Sequence, residues 1–215
     1  MQIKENIKII DNVHIPITDA PAGILVSGGA DSALLLYFLM KNTNKTIHIF
    51  SLGNQKKIKN LKTSIDVVSK CAELTDNYNF IHHINYEKEK SRENLFYLPT
   101  LFLKNKIISC VYTGITKNPP DFVTANFKNV SKEDDERNPN IIRDTQIREY
   151  FIPWTNLDKK SIAFIYTKYN LIDTLFQVTR SCEILDEKID QNLTDEHCGK
   201  CWWCEERIWG FGRYK

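Results

Sequence analysis

The chain has 215 residues, with 29 basic and 27 acidic side chains and a formal net charge of +2, length enough for one ample α/β domain, or for one domain with a small appendage. Charges of both signs are spread along it, so composition supplies no field for wrapping a long nucleic acid, whereas a small nucleotide suits such a balance. Met1 to Ala20 is charged and has no apolar leader, and no window approaches the roughly 18 apolar residues of a membrane span, so a cytoplasmic protein away from membranes is expected.

The first element is an apolar strand, Ile24–Val26, that ends abruptly in Ser27-Gly28-Gly29-Ala30-Asp31-Ser32 and opens into a helix through Ala33-Leu34-Leu35-Leu36-Tyr37-Phe38-Leu39. Strand, glycine turn and helix N-terminus in succession make an anion site: adjacent glycines let the backbone approach a ligand, and unpaired N–H groups point at it. Ser27 and Ser32 add hydroxyl donors, and Asp31 reaches a phosphate through Mg²⁺ or water. The competing reading is a plain strand-turn-helix junction with Asp31 or Ser32 as its N-cap.

Further strands are expected at Ile47–Leu52, Phe80–Ile84 and Ile107–Thr113, alternating with helices, the clearest of which has Ile58, Leu61, Ile65, Val68 and Ala72 on one face. That rhythm predicts a doubly wound, mostly parallel sheet with ligands at the carboxyl ends of its strands. A helix over Asn94–Lys106 must accommodate Pro99. Gly114, at a strand end on the same crevice, either admits a ligand closely or simply makes a turn. From Lys117 to Asp144, prolines 119, 120 and 139 and the charged run Lys132–Arg137 break the pattern into a long surface excursion, functional or disordered. Tyr150–Trp154 reads as a short strand, and Asp158 as the cap of a helix through Ala163, Phe164 and Tyr169. His82 and His83 sit in a strand and must face opposite ways, as satisfied structural histidines rather than ligands.

Cys71 and Cys110 lie alone in apolar segments as core residues, whereas Cys182, Cys198, Cys201 and Cys204 crowd the C-terminal end. Two consecutive C-x2-C steps preceded by Cys182 predict a closed four-thiolate shell, which suits structural Zn²⁺ and releases roughly 10 kcal/mol or more on binding. An iron–sulfur cluster uses the same ligand type and stays open as the alternative. His197 is unnecessary beside four cysteines, and Trp202, Trp203, Trp209 and Phe211 read as packing around the metal rather than as a stacking platform. The division expected is 1–180 for the nucleotide-binding domain and 181–215 for a zinc-binding module packed on it.

The hexapeptide Ser27–Ser32 resembles the pyrophosphate-binding loop (PP-loop) of the N-type ATP pyrophosphatases. Taken with Ser181-Cys182, Cys198-Gly199-x-Cys201-x-x-Cys204-x-x-Arg207 and Gly210-Phe211, it is similar to one branch of that superfamily, the 7-cyano-7-deazaguanine synthases. Asp158-Lys159-Lys160-Ser161-Ile162 resembles the family's helix start, which places Lys159 at its lysine. The likeness covers Ala22–Leu39 and Leu157–Phe211. In the middle, Ser51-Leu52-Gly53-Asn54-Gln55 stands for Asp-Tyr-Gly-Gln, Tyr97-Leu98-Pro99-Thr100 lacks the Arg and Asn of Val-Pro-x-Arg-Asn, and Pro120-Asp121 keeps a trace of Pro-Asp-Cys-Arg.

The resemblance implies ATP, Mg²⁺ and Zn²⁺ as cofactors, with ATP held by Ser27, Gly28, Gly29, Ala30, Asp31, Ser32 and Gly114, and with Asp31 and Lys159 as catalytic residues. It implies a deazapurine carboxylate that is adenylated, then converted with ammonia to amide and nitrile. The alternatives are an ATP-dependent tRNA thiolation enzyme with a cysteine-bound cluster and a nucleotide-binding module without catalysis. Whether two copies pair as a homodimer is left open by the sequence.

Overall fold

The computed structural model describes residues 3–10, 13–54, 58–87, 92–124, 150–183 and 197–215. Two antiparallel strands open the chain, β1 (Ile3–Ile10) and β2 (Val13–Thr18), registered from Ile3 opposite Thr18 to Ile10 opposite Val13. Sequence reading passed over this hairpin, although Ile7, Ile9, Val13, Ile15 and Ile17 alternate with polar residues at strand period. Ile9, Val13, Ile15 and Ile17 are buried in the main core, and the Tyr169 hydroxyl donates to the Ile9 carbonyl at 2.9 Å.

Five parallel strands follow: β3 (Ala22–Leu25), β4 (Ile47–Asn54), β5 (Phe80–Glu87), β6 (Val111–Thr113) and β7 (Tyr150–Phe151), in the order β5-β4-β3-β6-β7. The helices are α1 (Ala30–Asn42), α2 (Ile58–Thr75), α3 (Arg92–Lys104), α4 (Asp121–Thr124), α5 (Lys159–Lys168) and α6 (Trp202–Phe211). Residues of α1, α2 and α5 fill the core on one face of the sheet; α3 covers the other through Leu95, Phe96, Leu98 and Phe102 against Leu25, Phe50, Ile108 and Val111. The expected doubly wound sheet is therefore present. Strand order reverses between β3 and β6, which opens a crevice at their carboxyl ends. The glycine turn sits there because β3 ends at Leu25 and α1 begins at Ala30.

Two expectations need correction. Val68 and Ala72 of α2 are buried as expected, but Ile58 and Ile65 are exposed and the stripe runs on through Thr63, Ser64, Val67 and Cys71. Small Thr63 and Ser64 are needed inward because the helix passes close to the glycine turn, where a Cβ on Gly28 would stand 3.0 Å from the Ser64 nitrogen. The two hydroxyls bond to their own helix, at Lys59 O (2.8 Å) and Leu61 O (2.7 Å), so their burial leaves no orphan. Residues 107–110 are not strand: the paired part of β6 is Val111–Thr113, while Ser109 N–H and the Cys110 carbonyl bond to Pro21 and Gly23. Pro99 lies inside α3, where it removes the intrahelical donor to Leu95. Of the long excursion, 117–124 follows β6 and contains α4, whereas the charged run Lys132–Arg137 and Pro139 lie outside the described residues.

Cys71 and Cys110 are fully buried core residues. His82 and His83 face opposite ways, as alternation requires: His82 Nε2 meets Ser51 Oγ at 2.9 Å, and His83 Nε2 meets His48 Nδ1 at 3.0 Å between Phe50 and Phe102.

Candidate functional site

A cleft of about 340 Å³ lies over the carboxyl ends of β3 and β6, and Ser27, Gly29, Asp31, Ser32, Thr113, Gly114 and Lys159 line it. It gathers onto one surface residues that stand far apart in the sequence.

The N-cap of α1 is Gly29, and no side chain among the described residues caps the helix, so Asp31 and Ser32 lie inside the first turn rather than at the cap. An uncapped N-terminus leaves its first N–H groups and the positive end of the helix dipole for a ligand. Gly28 has φ +86°, in the left-handed region that a side chain resists. Ser27 Oγ accepts from Gly29 N–H at 3.3 Å and lies 3.4 Å from Ser32 Oγ, which donates to Gly29 O at 3.1 Å. Both hydroxyls thus hold the turn in shape from within.

The turn is also pinned from below by residues that sequence reading did not single out. Trp154, fully buried, donates its indole N–H to Asp31 O at 3.1 Å, and the Tyr166 hydroxyl donates to Ala30 O at 2.8 Å. Arg180 N–H donates to Gly28 O at 3.0 Å, and the Arg180 side chain enters the cleft with its guanidinium on the Asn60 carbonyl oxygen. The aromatic pair had a signal available: a buried Trp or Tyr needs a partner for its polar tip. Gly114 lies against the first turn of α1, because a Cβ there would stand 2.7 Å from Ser32 N and 2.9 Å from Asp31 C. Its bare Cα makes room for protein backbone.

Asp31 and Lys159 meet directly. Lys159 Nζ hydrogen-bonds to Asp31 Oδ2 and lies 3.5 Å from Glu206 Oε2, and the lysine is only 3 % exposed. This is no solvated helix-start charge. Asp158 caps α5 as expected, its carboxylate accepting from Ser161 N–H at 2.8 Å. The other Asp31 oxygen, Oδ1, is buried with no hydrogen bond among the described residues. An orphaned carboxylate oxygen beside an anion site fits Mg²⁺, a hard cation that takes oxygen ligands.

Behind the cleft, the sulfurs of Cys182, Cys198, Cys201 and Cys204 all lie within 4.8 Å of one another, with 3.9 Å between Cys198 and Cys204 and between Cys182 and Cys201. A single tetrahedral ion with bonds of about 2.3 Å to sulfur sets its ligands about 3.8 Å apart. A cubane cluster binds each thiolate to a different iron and spreads the sulfurs more widely. The crowded thiols oppose ionisation without a cation: Cys201 is pushed up to about 11, first by its hydrogen bond with Cys182. His197 stacks on Tyr214 at 4.9 Å, and four sulfurs close the shell without it.

Arg207 ties the shell to the fold. Fully buried, it donates to Tyr214 O (2.8 Å), Ser181 Oγ (3.1 Å), Thr179 O (3.2 Å) and Thr179 Oγ1 (2.9 Å), with its guanidinium 4.0 Å over the Phe176 ring. Burial lowers it to about 10, so it stays charged at neutral pH. Trp202 is buried and Phe211 stacks on Phe176 at 4.2 Å, as packing residues should. Trp203 departs from that reading, for it lines the cleft together with Leu52, Leu95, Phe96 and Ile115.

No protein-family model matches this chain, and no curated protein does. Among solved structures it is similar to the U34-tRNA thiolase NcsA from Methanococcus maripaludis with its 4Fe–4S cluster, at 11 % sequence identity and a TM-score of 0.45. The match covers 72 % of this chain and 57 % of that one, so the chain spans little more than half of the thiolase's length. No helix among the described residues is long and apolar enough to cross a membrane.

Proposed function

We propose that this protein is an ATP-dependent synthase of the 7-cyano-7-deazaguanine synthase type, which adenylates a carboxylate of a deazapurine-like substrate and uses ammonia to form amide and nitrile. The observation that carries the reading is the meeting of Asp31 and Lys159 beside an α1 N-terminus that no side chain among the described residues caps. Sequence likeness at both ends of the chain supplies the substrate class.

In this reading the turn N–H groups, the Ser27 and Ser32 hydroxyls once turned from their bonds within the loop, Lys159 and Arg180 hold the β- and γ-phosphates of ATP. A substrate carboxylate oxygen attacks the α-phosphorus, the bond from that phosphorus to the bridging oxygen breaks, and pyrophosphate carries away the electron pair. Ammonia then displaces AMP from the acyl carbon, and a second activation dehydrates the amide. Fixed donors aimed at the leaving pyrophosphate lower the barrier because they need no reorganisation as charge develops. Asp31 would hold the Mg²⁺ that offsets phosphate charge, and the four cysteines a structural Zn²⁺. Leu52, Leu95, Phe96, Ile115 and Trp203 give a planar base an apolar wall.

The sulfur spacing favours a single ion, which weighs against reading the protein as a tRNA thiolase with a cluster. Mass spectrometry of products from ATP, ammonia and a panel of carboxylated bases tests the proposal. It requires pyrophosphate, AMP and a nitrile from a deazaguanine acid. ATP binding without pyrophosphate release from any acid would favour a non-catalytic nucleotide-binding module.

A further inference from the structure

Helix α6 joins the thiolate shell to the cleft. Cys204 faces the shell, while Trp203, Glu206 and Gly210, spaced three and four residues apart, share the face turned toward Lys159 and the cleft. Glu206 is 1 % exposed and its Oε2 lies 3.5 Å from Lys159 Nζ. One turn on, α6 passes so close to Lys159 that a Cβ on Gly210 would stand 2.3 Å from Lys159 Cγ. The lysine stem is therefore held by the Gly210 backbone, and its head lies between the Asp31 and Glu206 carboxylates.

Lys159 needs that support. As the first residue of α5 it places a buried cation at the positive end of the helix dipole, and Asp31 alone cannot fix an ammonium that has three donors. We propose that Glu206 is a positioning residue: it anchors Lys159 from the C-terminal segment, so that the thiolate shell and the phosphate site form one mechanical unit. The role toward nucleotide rests on the ATP reading above, whereas the anchoring itself does not.

The test uses side-chain ¹⁵N NMR of the lysine ammonium groups in the full-length protein, with Lys159→Arg to assign the Lys159 signal, followed by titration with ATP and Mg²⁺. The wild type should show a slowly exchanging Lys159 signal that shifts when ATP is added. Glu206→Gln should retain its metal content yet lose the slow exchange, and pyrophosphate release should fall at least tenfold with the KM for ATP unchanged or lower, because a negative charge has left the cleft. Should Glu206→Gln not fold, Glu206→Asp serves: its carboxylate keeps the charge but is one methylene shorter, and the signal should broaden. Slow exchange as in the wild type in either variant overturns the anchoring. A wild-type signal unmoved by ATP instead sinks the ATP reading and leaves the anchoring standing.

Discussion

Lys159 hydrogen-bonds to Asp31 across 128 positions of sequence, linking the first turn of α5 to the first turn of α1. Glu206 lies on the other side of the lysine, so one ammonium stands between two carboxylates. Removing the cation strands the buried Glu206 carboxylate and the half-buried Asp31 carboxylate. Lys159→Met should therefore cost about 3–5 kcal/mol of stability as well as abolish pyrophosphate release. Chemical denaturation checks the first, and a pyrophosphate assay on the folded fraction checks the second. A fully stable Lys159→Met protein would show the pair to be energetically idle.

Asp31→Asn keeps the shape of the side chain and a partner for Lys159, so the fold should survive. Loss of the charge beside the phosphates should lower pyrophosphate release on the order of 100-fold or more. Steady-state rates alongside a circular dichroism spectrum decide this; wild-type turnover would remove Asp31 from the chemistry.

Gly114→Ala tests the close approach of backbone to the turn. The new methyl meets Ser32 N at 2.7 Å and Asp31 C at 2.9 Å, atoms that cannot swing aside as a side-chain tip would. The first turn of α1 must shift, and affinity for ATP should fall about tenfold or more, the loss expected from roughly 1.4 kcal/mol of misplaced donors. Isothermal titration calorimetry reads it directly.

The thiolate shell predicts one Zn²⁺ per chain and a colourless protein. Cys201→Ala or chelation should release the ion and lower the melting temperature on the order of 10 °C or more. Elemental analysis paired with thermal melts provides the check. A brown protein with about four irons would replace the single ion by a cluster.

Burial, with a smaller contribution from His83, lowers His82 to about 4. The unfolded chain therefore binds a proton near the ordinary value of 6.5 that the folded chain refuses until about 4. Stability from this group is full above pH 6.5 and declines as pH falls toward 4, by at most about 1.4 kcal/mol per pH unit. His82→Gln, which retains a partner for Ser51 Oγ, should flatten that part of the stability profile in urea melts at stepped pH.

The sequence by itself determined those parts of the protein that are local: a strand running into two glycines and an apolar helix, cysteines at C-x2-C spacing, and the alternation that winds a parallel sheet. Each follows from contacts within a few residues or from a period, and each is present in the structure, although the strands at 111–113 and 150–151 are shorter than their patterns. Only the tertiary structure decided what the local pattern cannot carry. Nothing near Lys159 in sequence says that it is buried against Asp31 and Glu206, and nothing near Trp154, Tyr166 or Arg180 says that they fasten the glycine turn. The buried face of α2 departs in part from its apolar pattern for the same reason: a single helix reports its apolar residues, but the need for Thr63 and Ser64 to pass the Gly28 turn arises only when two elements pack. The N-terminal hairpin was legible in period yet overlooked, and its place against α5 is fixed by the Tyr169 bond to Ile9. Charges and polar tips find their partners through chain closure, and closure is a property of the whole fold.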